Sequence, residues 1–297
     1  MKYKTLFITT LSVIIFLTFF SGIIRHDVNE KAYLQLALQK QFDCVGLVYK
    51  NRTALGSCVL ISDRFVLSAA HVFIESETRP DTIKFKSQTI VYYVPYNIRV
   101  TNVSDLFLKI KGKKVKVKNL WLHPHYLDSL TEGSCDIALL ELDKPIKNIT
   151  PTILNTKFDE LNSDVVGVGF GASGPADKPE LVDDHNKKIA GENVIDSLGG
   201  ELYMGKETLL FADFDHQIRT DCNKLGSPTP RPLEYICTGG DSGGGLFRKK
   251  ENMWQLIGIC SGSRIDTNQL VKSGYYGQIM EWTRVSVFNN WIEKHVK

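Results

Sequence analysis

Three stretches of this chain hold residue types that can do nucleophilic chemistry together. The first is Cys237-Thr238-Gly239-Gly240-Asp241-Ser242-Gly243-Gly244-Gly245-Leu246-Phe247, which sets one hydroxyl among glycines. Glycine loses the most entropy on ordering, so such a run suits a tight turn that exposes backbone N–H groups. Gly, Asp and Ser dominate turns of every kind, and alone the stretch reads equally well as a flexible turn. Two upstream stretches change that balance. Leu67-Ser68-Ala69-Ala70-His71 supplies an imidazole, and Cys135-Asp136-Ile137-Ala138-Leu139-Leu140 places a carboxylate at the head of an apolar run. A serine hydroxyl is a weak nucleophile and needs a base within hydrogen-bond reach. His71 can take the Ser242 proton and return it, because imidazole titrates near neutral pH. A buried Asp136 would fix the tautomer of His71 and stabilise the imidazolium. Backbone N–H groups of Gly240 and Ser242 would point at the developing oxyanion; losing one such donor costs about 2.7–4 kcal/mol in other enzymes. The chemistry that these residues ask for is serine acyl transfer.

The elements that must hold them read as β-structure. Short β-rich runs punctuated by Gly, Asn, Asp and Pro recur along the chain, which predicts an all-β fold. Val45-Gly46-Leu47-Val48-Tyr49 reads as a strand, Lys50 to Thr53 as a turn and Gly56 to Ile61 as the returning strand. In that hairpin Cys44 and Cys58 are expected to face each other, as a first disulfide pair. Phe65 to Ser68 is a third strand that delivers His71 at its end, and Ile137 to Leu142 is a buried strand after Asp136. Thr89 to Val94 and Leu106 to Ile110 look like strands in an enlarged loop region. Lys109, Lys111, Lys113, Lys114, Lys116 and Lys118 alternate in part with valines, so a solvated sheet face or a protected edge explains them. His123-Pro124-His125-Tyr126 has no carboxylate or cysteine nearby at a metal-ligand spacing and reads as surface loop. Val165 to Gly171 and Trp254 to Cys260 are further strands. Near the end Phe288, Trp291, Ile292 and His295 fall at helical spacing, predicting a terminal helix with its aromatic stripe inward.

The chain has 297 residues, 43% apolar and 23% charged, as expected of a globular protein. A net charge of +3 is too small to draw nucleic acid. Lys2 and Lys4 precede an apolar run from Leu6 to Phe20, the pattern of an export leader. Residues 1–25 are expected to be a cleaved signal peptide or, as the alternative, an uncleaved membrane anchor. Either way the rest lies outside the cytoplasm, secreted or periplasmic. Six cysteines in an exported chain are disulfide candidates. Residues 26–42 are polar and mildly helical and read as an arm on the domain surface.

At the three reactive stretches the sequence resembles the chymotrypsin/trypsin-like serine proteases. The matches are Leu67-Ser68-Ala69-Ala70-His71, Asp136-Ile137-Ala138-Leu139-Leu140 and Gly240-Asp241-Ser242-Gly243-Gly244, in the order His, Asp, Ser. Gly56-Ser57-Cys58-Val59-Leu60-Ile61, Trp254 to Ser261 and Arg284 to Ile292 fit as flanks. The resemblance implies two six-stranded antiparallel β-barrels with a C-terminal helix over residues 43–297, the halves meeting near 155–156 and the site between them. It implies a serine endopeptidase with His71, Asp136 and Ser242 as the triad, a polypeptide substrate, and no metal or cofactor. Ser261 falls where the family has a serine that hydrogen-bonds the aspartate. Cys222 and Cys237 resemble the pair closing the loop before the serine. Cys135 and Cys260 flank Asp136 and Ser261, which this resemblance expects close together, so a bridge between them is a further disulfide candidate.

The departures are as informative. The usual activation sequence, Arg or Lys followed by Ile-Val-Gly-Gly, is missing before Phe42, so Asp241 lacks the new N-terminus that is its expected partner. Between Cys237 and Gly240 the segment that floors the primary specificity pocket looks deleted. These departures raise a second reading, a protease-like fold kept as a binding or regulatory module without catalysis. A third, the nucleophile elbow of α/β-hydrolases, would need a helix after Ser242 and would draw on Asp266 and His295. Three consecutive glycines make a poor helix start.

Overall fold

The computed structural model describes residues 21–85, 88–128, 134–178, 181, 187–264 and 274–296. The apolar run from Leu6 to Phe20 and the acidic residue Asp266 lie outside the described residues. Strand β1 (Ser21–Ile24) comes first, then helix α1 (Glu30–Ala37), begun by the Asn29 side chain accepting the Lys31 N–H. Next come β2 (Val45–Lys50), β3 (Thr53–Leu60) and β4 (Phe65–Ser68). A long ribbon of β5 (Ile74–Phe85) and β6 (Gln88–Val100) intervenes before β7 (Leu106–Ile110), β8 (Lys113–Leu122), the short α2 (Pro124–Asp128) and β9 (Ala138–Leu142). The strands β2-β3-β4-β9-β8-β7 close into a barrel, the first of the two expected. Val45, Val59, Leu67, Leu108 and Leu139 are buried in the core cluster around it.

The second half runs through β10 (Ile153–Leu154), β11 (Asp164–Gly169), β12 (Ala172–Pro175), β13 (Ile189–Val194), β14 (Ser197–Tyr203) and β15 (Lys206–Asp213). It finishes with β16 (Tyr235–Ile236), β17 (Gly245–Lys250), β18 (Met253–Arg264), β19 (Ile279–Arg284) and helix α3 (Asn289–Val296). Seven of these strands form the path β13-β11-β17-β18-β19-β15-β14, with β10 added beside β18. The fold is all-β with a terminal helix, as the sequence predicts. Trp282, Tyr235, Leu210 and Ile257 fill the second core.

Register puts the reactive residues on one rim. β4 and β9 pair Ser68 with Ala138, so His71 follows the end of one strand as Asp136 precedes the start of the other. β17 begins at Gly245 opposite Ile259 of β18, which sets Ser242 just before one strand and Ser261 just past its partner residue.

The last residues of the leader pattern, Ser21–Ile24, form β1, parallel to β12 and antiparallel to β16, with Ile23 and Ile24 buried in the second core. The stretch from His123 to Tyr126 is not surface loop throughout: His123 is 1% exposed, packed edge-on to Tyr203, Phe288 and Trp291. The inward stripe of α3 covers it, and burial beside His125 lowers its pKa to about 4. Among the described residues no three His, Cys, Asp or Glu side chains gather as a metal set. The lysine run does lie on an exposed strand face: Lys118 pairs with Glu141 at 2.7 Å and Lys114 caps the Phe107 ring at 3.8 Å. No described helix is long and apolar enough to cross a membrane.

Candidate active site

His71 and Asp136 are joined twice. The imidazole Nδ1 lies 2.7 Å from Asp136 Oδ2, and the His71 backbone N–H donates to Oδ1 at 2.9 Å. Ser261 Oγ donates to the same Oδ2 at 2.6 Å, and Thr283 Oγ1 donates to the Asp136 carbonyl at 2.8 Å. Burial opposes charge on Asp136, but the His71 charge and hydrogen bonds outweigh it and hold the carboxyl below its usual range. An ionised carboxylate can only accept, so Nδ1 carries the proton and Nε2 is left as the free base. For His71, burial disfavours the cation, yet the Asp136 charge and hydrogen bond prevail and raise its pKa above the ordinary imidazole value. The His71 side chain remains 35% exposed, so the ring edge opposite Asp136 can meet a substrate.

The segment Thr238–Gly244 forms a tight loop around Ser242. Its amides divide into two kinds. Asp241 N donates to Thr238 O at 2.9 Å, Gly243 N to Cys260 O at 2.8 Å and Gly244 N to Asp241 O at 2.7 Å. The amides of Gly240 and Ser242 have no partner among the described residues. Gly240 and Gly243 have φ of +95° and +84°, backbone that residues with a Cβ seldom adopt, and this lets the chain reverse twice within four residues. The first barrel presses on this loop: a methyl on Gly56 would lie 2.7 Å from Ser242 O and 3.1 Å from Val72, the neighbour of His71. Among the described residues the His71 imidazole bonds to Asp136. The contact between such a base and its nucleophile is often long without substrate and tightens on binding.

Asp241 is 1% exposed and faces inward. Its carboxylate accepts the N–H of Gly171 at 2.8 Å and of Thr238 at 3.1 Å, and no cation among the described residues pairs with it. Burial therefore pushes its pKa up to about 7 against the pull of those two amides. Glycine at 171 is required by this approach, since a Cβ there would stand 2.5 Å from Asp241 Oδ2. Strand β1 runs past the same place, with Ser21 opposite Ala172, the residue after Gly171.

All six cysteines are buried and none is bridged. Cys58 stands opposite Gly46, while the Cys44 carbonyl accepts the N–H of Leu60, so the expected cross-strand pair is two residues out of register. Cys237 Sγ meets the Tyr235 hydroxyl at 3.0 Å, and neither the Cys222–Cys237 nor the Cys135–Cys260 bond is formed. Cys135 adopts φ +61° immediately before Asp136, and burial raises its thiol to about 11.

Hydrogen bonds join His71, Asp136 and Ser261 to one another, while the hydroxyl of Ser242 has no hydrogen bond to His71 among the described residues. Thr283 also touches this group and Ser57 the loop of Ser242, and sequence reasoning missed both. Each lies within or beside a stretch that fits the family, but nothing in residue type or spacing marks a strand serine or threonine as reaching across to another element.

A model of the trypsin family matches residues 36–292 of this chain. Among curated proteins the chain is similar to the CLIP domain-containing serine protease B14 of Anopheles gambiae, 26% identical over 268 residues. That match covers 83% of this chain and 66% of the mosquito protein, so the chain spans just under two thirds of its relative's length. With the family model matched over most of its length, the chain belongs to the trypsin family.

Proposed function

We propose that the protein is a serine endopeptidase with Ser242 as nucleophile, His71 as general base and acid, and Asp136 as the group that orients and charges the pair. Ser242 Oγ attacks the substrate carbonyl as its proton passes to His71 Nε2. The carbonyl oxygen, now negative, turns into the Gly240 and Ser242 amides. Protonated His71 returns the proton to the leaving amine, an acyl-enzyme remains on Ser242, and a water activated by His71 hydrolyses it. Asp136 Oδ2 holds Nδ1–H throughout, while Ser261 keeps that oxygen ionised and in place. The leader pattern of residues 1–20 supports an exported enzyme acting on polypeptides outside the cytoplasm.

One observation carries this reading. From Gly240 to Gly244, the amides without a partner among the described residues are those of Gly240 and Ser242, the two that an oxyanion would need. Both residues are half-buried, so their amides stay within reach of a substrate oxygen. A second reading, a silent protease-like module, draws on the uncharged surroundings of Asp241. A fluorophosphonate probe separates the two. Labelling of the wild type and none of Ser242→Ala is the expected result. Absence of labelling in folded wild-type protein favours the silent module.

A further inference from the structure

Ser57 belongs to β3 in the first barrel, is fully buried, and takes no part in the triad. Its contacts nevertheless converge on the other barrel. Its hydroxyl donates to Gly240 O at 2.9 Å and accepts the Phe170 N–H at 3.0 Å, and its amide donates to Ser242 O at 2.7 Å. Its own carbonyl accepts the hydroxyl of Ser68, three residues before His71, at 2.8 Å. A hydroxyl has one proton to give, and Ser57 gives it to Gly240.

The peptide planes of the loop show what this does. The plane joining Gly240 to Asp241 is pinned at both ends, its carbonyl by Ser57 Oγ and its N–H by Thr238 O. The plane joining Ser242 to Gly243 is likewise pinned, its carbonyl by Ser57 N and its N–H by Cys260 O. Two glycines with positive φ leave this segment little stiffness of its own, and Asp241 has no ion pair among the described residues to hold it. The Gly240 and Ser242 amides, on the peptide planes just before these pinned ones, are the two left without a partner among the described residues. We infer that Ser57 is a positioning residue for the oxyanion site, a neutral clamp from the opposite barrel that keeps the loop in working shape without a charged partner for Asp241. The inference rests on the reading of Ser242 as nucleophile.

The test follows fluorophosphonate labelling at a series of probe concentrations, which separates the saturating rate from the half-saturating concentration. Ser57→Ala keeps the amide contact and removes the hydroxyl, leaving Gly240 O and Phe170 N short of a partner. Its saturating rate should fall about 10–100-fold, with the half-saturating concentration and the pH midpoint set by His71 unchanged. Ser57→Thr, which restores a hydroxyl, should recover most of the rate. If Ser57→Ala does not fold by circular dichroism, Ser57→Cys takes its place, since a thiol of similar size is only a weak donor. A folded variant lacking the hydroxyl that labels at the wild-type rate overturns the inference and leaves the protease reading standing. A rate loss accompanied by a shifted His71 midpoint also overturns it, because the damage then lies in the triad. Failure of the wild type itself to label removes both.

Discussion

Ser261 Oγ and His71 Nδ1 share one oxygen of Asp136, at 2.6 and 2.7 Å. The shared atom lets Ser261 set how basic the carboxylate is. A donor on Oδ2 disperses its negative charge, and removing that donor concentrates the charge on the imidazole contact. Ser261→Ala should therefore move the lower pH midpoint of labelling upward and slow labelling at neutral pH about 3–10-fold, with little effect on thermal stability. An unchanged midpoint, measured across about pH 5–9, would show that Ser261 only fills space.

His71 must be neutral to accept a proton, and its pKa is raised because the Asp136 charge outweighs burial. Labelling should accordingly be weak in acid and rise through a midpoint above about 6.5, the ordinary imidazole value. The same shift bears on stability. A histidine raised in the fold contributes stability below its unfolded pKa, and that contribution is lost as pH rises through the folded value. Asp136→Asn should abolish the raised midpoint, since the remaining amide carries no charge, and should cut the labelling rate by about three or four orders of magnitude. A midpoint at or below the ordinary value in the wild type contradicts the ion-pair geometry.

Much of this site is legible in the order of the amino acids, and the reason is chemical. Ser242 stands out because a glycine-flanked hydroxyl suits few elements, and His71 and Asp136 because polar residues at the edges of apolar strands have few uses. The strands of the first barrel are legible too, since β-rich runs and turn residues mark their ends. The Cys44–Cys58 pairing fails because a hairpin's residues reveal the hairpin and not its register. That register depends on where β2 and β3 slip past one another between Val48 and Tyr49. The role of Ser21–Ile24 is equally hidden, because Ile23 and Ile24 continue an apolar run and only their tertiary partners reveal a strand. Ser57 is the sharpest case, since its importance lies in contacts with Phe170, Gly240 and Ser242, more than a hundred residues away along the chain.

Away from the cleft, Asp196, Asp215 and Glu234 line a cavity of about 150 Å³ with Asn193, Ser227, Thr229 and Arg231. Burial, then the neighbouring charges, raise their pKa values: Asp196 to about 6 beside Asp213, Asp215 to about 7 beside Asp213 and Asp196, and Glu234 to about 8 near Asp215 and Asp213. Each carboxyl holds its proton more tightly folded than unfolded. Their stabilising contribution is complete below about pH 4 and is lost as pH rises through the folded values, between about 6 and 8. Denaturant unfolding measured from about pH 4 to 8.5 should show stability declining by about 1.4 kcal/mol per pH unit for each proton released. Glu234→Gln should flatten the upper part of that decline. Stability that is level or rising across this range would refute the raised carboxyls.

Strand β1 bears on where a cleaved leader would end. Ile23 and Ile24 are 0% and 5% exposed, and their backbones bridge β12 to β16 just upstream of the Ser242 loop. Each buried isoleucine is worth about 1.5–3 kcal/mol, and without them the Tyr235–Ile236 strand loses its pairing partner. A chain starting at Arg25 should therefore unfold at a lower temperature than one starting at Ser21, and should label more slowly, since β16 leads directly into the loop. Terminal sequencing of protein exported from cells should accordingly find a first residue no later than Ile23. A processed form beginning at Arg25 or beyond, as stable and as reactive as the longer chain, would mean that β1 is dispensable and that the two isoleucines serve only the leader.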